Sequence, residues 1–406
     1  MPPTNIRHLI FALSDALDLV GIDDVAHGKR VGIMAAECAK ADPELATQGE
    51  ALFDLGLLHD IGVSSTVTHG HLVQEFNWDR SQIHCEVGYA LLKDFPRLAW
   101  MALPIKYHHT RWDKLPLASI GEPIATQANL IYLVDRVDAL AAPHYADGSL
   151  LMHTQNIRQQ IADFSGSFFA PHLVDLFLQA SKSEAFWLSL EPRVVQSYLL
   201  SMLSTGQSCA IEIPELKQLA RIFSKIVDAK SPFTAEHSIG VAAVARHLAE
   251  QLGVCPENRD KLEIAGLLHD IGKLRIPDEI LDKPGKLDER ERKIMNSHSF
   301  ESFQILRHIA GFEEISTWAA YHHEEPTGNG YPFHLDGNAL PLEAQILQVA
   351  DIFQAMVQDR PYRAGLAEPQ VFEFMSDLVS QGRIDADIFA VLKADLPHAI
   401  HLARNT

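Results

Sequence analysis

Gly56-Leu57-Leu58-His59-Asp60-Ile61-Gly62 recurs letter for letter, 210 residues further on, as Gly266-Leu267-Leu268-His269-Asp270-Ile271-Gly272. An exact repeat of this length raises the question of whether the chain is built twice, and the landmarks around it answer. At the same offset His27, in Ala26-His27-Gly28-Lys29-Arg30-Val31-Gly32, corresponds to His237, in Glu236-His237-Ser238-Ile239-Gly240. Tyr107-His108-His109 corresponds to Tyr321-His322-His323, and His84 to His298, both at an offset of 214. Leu133-Val134-Asp135-Arg136-Val137-Asp138-Ala139 pairs with Gln348-Val349-Ala350-Asp351-Ile352-Phe353-Gln354-Ala355 at an offset of 216. Ten of the 21 histidines occupy these matched places. The chain reads as a tandem duplication, with a first domain over 1–205 and a second over 206–406. The polar run Ser204-Thr205-Gly206-Gln207-Ser208 marks the junction, and Pro214 restarts a helix.

Both copies read as all-α. Leu216, Leu219, Ile222, Phe223, Ile226 and Val227 fall on one stripe of a 3.6-residue period, the signature of an amphipathic helix. Glu263 to Leu268 and Ile294 to Leu306 are expected to be helical as well, and the stretch from 145 to 200 adds further helices to the first copy. Pro277, Pro284-Gly285 and the segment from Pro326 to Pro341 mark loops. No alternating β-branched run suggests a sheet.

The 406 residues allow two or three domains. With 34 Lys and Arg against 53 Asp and Glu, the formal charge of −19 argues against a partner that is polymeric nucleic acid. No stretch reaches the roughly 18 apolar residues of a membrane helix, and the start of the chain lacks the basic-then-apolar layout of a secretion signal. Cys38, Cys85, Cys209 and Cys255 are scattered without a Cys-x-x-Cys pair, so they read as reduced core residues of a cytoplasmic protein. An exposed helical face leaves a homodimer open.

Imidazole and carboxylate together are the ligand set of first-row transition metals. In the second copy the set is His237, His269, Asp270, His298, His322, His323 and Asp351, more than one ion needs. A carboxylate next to a ligating histidine can bridge two ions, and Asp270 is so placed. Two bridged metals are a recurring device for phosphoester hydrolysis. A single histidine on an apolar helix is usually a hydrogen-bonded core residue. An ordered set of seven, present twice, is not accounted for that way.

His-Asp on a helix, with an earlier His and a later Asp, resembles the HD phosphohydrolase superfamily. The second copy is similar to its HD-GYP family throughout, in His269-Asp270-Ile271-Gly272-Lys273, Ile276-Pro277-Asp278, Leu281-Asp282-Lys283-Pro284-Gly285-Lys286-Leu287, His322-His323-Glu324, Gly328-Asn329-Gly330-Tyr331-Pro332 and Asp359-Arg360-Pro361-Tyr362-Arg363. This implies two tandem HD-type helical bundles, the second a phosphodiesterase that linearises a cyclic dinucleotide, cyclic di-GMP or 3′,3′-cGAMP. It implies two divalent transition metals, iron or manganese: one on His237, His269, Asp270 and Asp351, the other on Asp270, His298, His322 and His323. Phe233 stands where members with a third ion have Glu, so two are expected. The resemblance also implies catalytic roles for Asp270 and Lys273, with substrate gripped by Tyr331, Arg360 and Arg363. Lys273 lies one helical turn beyond His269, from where it can neutralise a phosphate oxygen. Glu324 is expected to orient a ligand histidine.

The first copy keeps His27, His59, Asp60, His84, His108, His109 and Asp135. It departs at Val63, where the lysine would be, at Thr110 in place of the glutamate, and at Arg111-Trp112-Asp113-Lys114-Leu115-Pro116 in place of the Gly-Tyr-Pro loop. It is either a retired duplicate with a regulatory role or a second metal centre. In the latter case it would remove the 5′-phosphate from the linear product. The rival to the enzyme as a whole is an effector that binds cyclic dinucleotides without hydrolysing them.

Overall fold

A computed structural model describes residues 4–21, 26–76, 78, 80–205, 210–231, 236–358 and 365–404. Helices dominate these residues, and the only paired strands are Thr4–Asn5 and Ala210–Ile211, antiparallel with Thr4 opposite Ile211. No described helix is long and apolar enough to cross a membrane. The chain divides into two compact units, Leu13–Ser208 and a second made of Cys209–Thr406 with Met1–Ala12. The start of the chain therefore folds with the second copy. The short strand pair joins it there, and Thr4 Oγ1 donates to the Ala310 carbonyl at 3.3 Å.

Each unit is built on the same plan. In the first, helix His27–Ala39 packs on Gly49–Leu58, Gln82–Leu92 on Ala99–Tyr107, and Glu122–Ala141 runs across His27–Ala39 and Ala99–Tyr107. In the second, His237–Gln251 packs on Pro256–Leu268, His298–Leu306 on Glu313–Ala320, and Leu342–Val357 runs across His237–Gln251 and Glu313–Ala320. The helices that carry or precede the candidate ligands thus meet in pairs.

The repeated string has glycines at both ends because two close approaches require them. A β-carbon at Gly266 would lie 2.8 Å from Ala242 Cα, and one at Gly56 would lie 2.5 Å from Gly32 Cα, where the paired helices touch. A β-carbon at Gly62 or Gly272 would lie 2.0 Å from the carbonyl oxygen of His84 or His298 respectively.

The predicted stripe from Leu216 to Val227 lies buried along helix Ile213–Asp228, which Pro214 opens. The single helix expected from Ile294 to Leu306 is two, Glu289–Asn296 and His298–Leu306, broken at Ser297. The break turns the chain so that His298 starts a new helix. Cys38 and Cys85 are buried, but Cys255 is exposed where it precedes helix Pro256–Leu268, so it is not a core residue; Cys209 lies outside the described residues.

Candidate metal centres

The ligand-type residues sit at helix ends, apart from Asp135 and Asp351, which lie inside Glu122–Ala141 and Leu342–Val357. His237 and His298 are the first residues of their helices; His269 follows the end of Pro256–Leu268, and His322 and His323 follow Glu313–Ala320. The last carbonyls of a helix have no partner within it. Histidine rings take them up here: Nδ1 donates to the carbonyl three residues back, from His269 to Gly266 at 2.7 Å, His298 to Met295 at 2.7 Å and His322 to Ala319 at 2.6 Å. In the first unit His59 donates to Gly56 at 2.8 Å and His108 to Ile105 at 2.6 Å. Each such bond fixes the ring and leaves the Nε2 lone pair aimed inward, as metal ligation needs.

In the second unit these lone pairs converge on Asp270. Its Oδ2 lies 3.3 Å from His269 Nε2 and 3.6 Å from His237 Nε2, while Oδ1 lies 3.3 Å from His298 Nε2 and 3.9 Å from His322 Nε2. Asp351 Oδ1 closes the first side, 3.2 Å from His237 Nε2. Two clusters able to hold a metal result, His237 with His269 and Asp351, and His298 with His322 and His323, the Asp270 carboxylate standing between. His269 Nε2 and Asp270 Oδ1 are buried without a hydrogen-bond partner. Orphaned buried polar atoms are costly, and a cation in each cluster would satisfy them, one at His269 and the other at Asp270 Oδ1. The residues therefore fit divalent metal.

The first unit repeats the arrangement. Asp60 Oδ2 faces His59 at 3.5 Å and His27 at 3.9 Å; Oδ1 faces His84 at 3.2 Å and His108 at 3.6 Å. The clusters are His27, His59 and Asp135, and Asp60, His84, His108 and His109. His59 Nε2 and Asp60 Oδ1 are again buried without a partner.

Burial pushes His298 down to about 3 and His323 to about 4, so both rings are neutral and ready to ligate. Burial also opposes charge on His269, but Asp270 outweighs it and raises that ring to about 9. Asp270 itself is held well below the usual carboxylate range, because His269 and Lys273 overcome its burial. Lys273 lies in the short turn Ile271–Arg275 and its Nζ contacts Asp270 Oδ2. Glu236, just before His237, has a left-handed backbone with φ of 64°, an uncommon strain for a residue with a side chain.

The Gly-Tyr-Pro loop folds onto the His322–His323 turn. Tyr331 donates its amide to the His323 carbonyl at 3.1 Å and lays its ring on that of His323, centroids 4.8 Å apart. Gly330 passes so close to Glu324 that a β-carbon would meet its Cα at 2.4 Å. Glu324 does not orient a histidine as expected. Its buried carboxylate accepts the amides of Phe333 at 2.6 Å and Leu335 at 3.0 Å and so anchors this loop. Arg360 and Arg363 lie outside the described residues. Beside Asp351, a cavity of about 330 Å³ opens between Ile352, Ala355, Met356, Phe374, Leu378 and Arg383.

In the first unit the residue after Asp135 reaches a neighbouring helix. Buried Arg136 binds Asp135 at 2.9 Å and donates to the carbonyls of Leu72 at 2.9 Å and Glu75 at 2.8 Å, tying helix Thr66–Gln74 over the centre. Trp112 and Asp113 donate their amides to the carbonyls of Phe168 and Ser167. A cavity beside His27, His59, Asp60, Val63 and His69 measures about 20 Å³.

Several supporting residues carried no sequence signal. His237 Nδ1 donates to Gln354 Oε1 at 2.5 Å, and His27 Nδ1 to Asp138 Oδ2 at 2.8 Å, an oxygen also held by Arg30. Each partner stands three residues after the ligand Asp, one turn along the same helix face, which is where a search could have looked. Ser302 clamps the His-Asp turn, accepting from the Gly272 amide and donating to the His269 carbonyl.

Comparison with known proteins agrees with this geometry. Residues 221–388 match one HD domain family model and residues 25–140 match another. A 3′3′-cGAMP-specific phosphodiesterase 1 of Vibrio cholerae is 39% identical over 394 residues, covering 96% of this chain and 91% of that one. A 3′3′-cGAMP-specific phosphodiesterase 3 of the same organism is 34% identical over 276 residues, 68% of this chain and 58% of that one. A cyclic di-GMP phosphodiesterase response regulator of Xanthomonas campestris is 35% identical over 194 residues, 47% of this chain and 48% of that one. A crystal structure of a cyclic GMP-AMP specific phosphodiesterase of V. cholerae matches with a TM-score of 0.63 at 26% identity, over 97% of this chain and 98% of that one.

Proposed function

Because this chain belongs to the HD-GYP branch of the HD domain family of metal-dependent phosphohydrolases, we propose that its second unit hydrolyses one 3′–5′ phosphodiester of a bacterial cyclic dinucleotide. The product is a linear 5′-phosphorylated dinucleotide. 3′,3′-cGAMP is the preferred substrate: the relatives matched over nearly the whole chain are named for it, whereas the cyclic di-GMP enzyme of X. campestris matches about half. The observation that carries this reading is the single carboxylate of Asp270 facing imidazoles on both sides, with Lys273 against it.

Two ions, iron or manganese, would be held by His237, His269 and Asp351 and by His298, His322 and His323, sharing Asp270; when bound they supply Lewis acidity for phosphoester hydrolysis. The rest is done by the chain. Lys273 places its ammonium where a non-bridging phosphate oxygen gains charge. Tyr331, braced on His323, offers a ring face to a base. Arg360 and Arg363 grip phosphate or guanine through their planar forks.

The first unit removes the 5′-phosphate from the linear product. Its complete duplicate of the ligand set supports this.

The test is chromatography of products from protein reconstituted with iron(II) or manganese without oxygen and given cyclic di-GMP and 3′,3′-cGAMP in parallel. Ring opening is expected with both, faster with 3′,3′-cGAMP, followed by phosphate release that His59→Ala abolishes. Unchanged phosphate release in that variant refutes the role of the first unit. No ring opening with two metals bound makes the chain a cyclic dinucleotide effector instead.

A further inference from the structure

The helix His237–Gln251 carries a ligand of the buried centre at its first residue and half-buried His247 ten residues on, about 15 Å away along the axis. There His247 Nε2 lies 3.3 Å from Asp395 Oδ2, and the ring of His398 stands edge-on to that of His247 with centroids 4.8 Å apart. One ligand atom from each of His247, Asp395 and His398 lies within 4.8 Å of the other two.

We propose that these three side chains form a further metal site, for a single divalent transition ion such as zinc, which ties the last helix of the chain to helix His237–Gln251. Two imidazoles and a carboxylate are a zinc ligand set. Bonds of about 2.0–2.2 Å in a tetrahedron put ligand atoms roughly 3.4 Å apart, which the His247–Asp395 pair already meets at 3.3 Å. His398 is exposed and its side chain has room to complete the triad. The fourth position is left to water, reached through a cavity of about 460 Å³ that His247 and His398 line with Arg221 and Arg246.

The apolar packing of the last helix rests on other residues. Helix Leu396–Arg404 buries Leu396, Ala399 and Ala403 on one face, against helices His237–Gln251 and Leu342–Val357. The ion adds a cross-link at the start of that helix. At its end, the Ala403 carbonyl accepts from Gln354 Nε2 at 3.3 Å, and Gln354 Oε1 holds His237. Fixing the helix therefore steadies the partner of a ligand in the buried centre.

The test counts all metal bound per chain, iron, manganese and zinc together, after the full-length protein is equilibrated with zinc and passed through a desalting column. Wild type is compared with His398→Ala, which removes an exposed side chain, and with Asp395→Asn. Each variant is expected to hold one ion fewer than wild type. Zinc is also expected to slow hydrogen exchange across residues 396–404 in wild type and not in His398→Ala. An equal count in all three proteins, or protection in His398→Ala matching wild type, overturns the site. Neither readout depends on turnover, so failure here is separate from failure of the cyclic dinucleotide reading.

Discussion

A β-carbon on Gly272 would stand 2.0 Å from the carbonyl oxygen of His298 and 2.7 Å from the amide nitrogen of Ser302. Both are backbone atoms, so neither can swing aside. The same relationship joins Gly62 to His84, again at 2.0 Å. This contact sets the turn that holds Asp270 against the start of the helix carrying His298.

Gly272→Ala should therefore destabilise the second unit by at least the upper part of the range of about 1–3 kcal/mol for overpacking, with loss of its metal. Gly49→Ala, where a β-carbon meets nothing within 4 Å, is the control and should change stability by less than about 0.5 kcal/mol. Denaturant unfolding and metal analysis on both variants check this.

The bond from His237 Nδ1 to Gln354 fixes which nitrogen faces the centre. Gln354→Ala should weaken metal binding in the second unit by about 10–100-fold. Excess metal should restore most activity, since no ligand has been removed. Metal titration with a parallel assay separates this from a folding defect.

Metal loading should release a proton near neutral pH. In the metal-free protein burial opposes charge on His269, but Asp270 prevails and holds the ring at about 9. A metal takes only the neutral ring, so below that pH its proton must leave. His298 and His323, near 3 and 4 through burial, have none to give. Affinity should rise with pH by up to about tenfold per unit until pH reaches about 9. Folding of the metal-free chain runs the other way. A raised histidine stabilises fully below its unfolded value of about 6.5, and that contribution is lost as pH climbs through about 9. Binding isotherms and melts across this range measure both slopes.

Lys273 and Glu324 should separate by kinetics. Lys273→Met removes the charge beside Asp270 and should lower kcat by about 10²-fold with metal retained. Glu324→Gln leaves the amide of Phe333 or Leu335 without its acceptor, at a cost of about 1–3 kcal/mol to the loop. Its effect should fall on KM, with kcat and metal content little changed.

The clusters of both units were legible in the sequence because their residues are of few types in a fixed order, repeated. The glycines of the repeated string were visible for the same reason, although the close approaches that demand them show only in three dimensions. Gln354 and Asp138 look like ordinary polar residues of a helix until His237 and His27 are seen beside them. Glu324 was expected to serve a histidine and serves the loop, because residues 333 and 335 return to it across a turn that spacing alone does not reveal. Strands of two residues, such as Thr4–Asn5, are too short to show a period, so the attachment of the chain's start to the second unit left no trace in the pattern.

The most direct test of the account compares Asp270→Asn with Asp60→Asn for ring opening of 3′,3′-cGAMP, each reconstituted with manganese. The two carboxylates occupy the same place in the two units, each between its pair of imidazole clusters. Asp270→Asn should abolish ring opening while Asp60→Asn retains it and accumulates the linear 5′-phosphorylated product. Ring opening that survives Asp270→Asn, or that is lost in Asp60→Asn with metal still in the second unit, would contradict the assignment of the diesterase to the second unit.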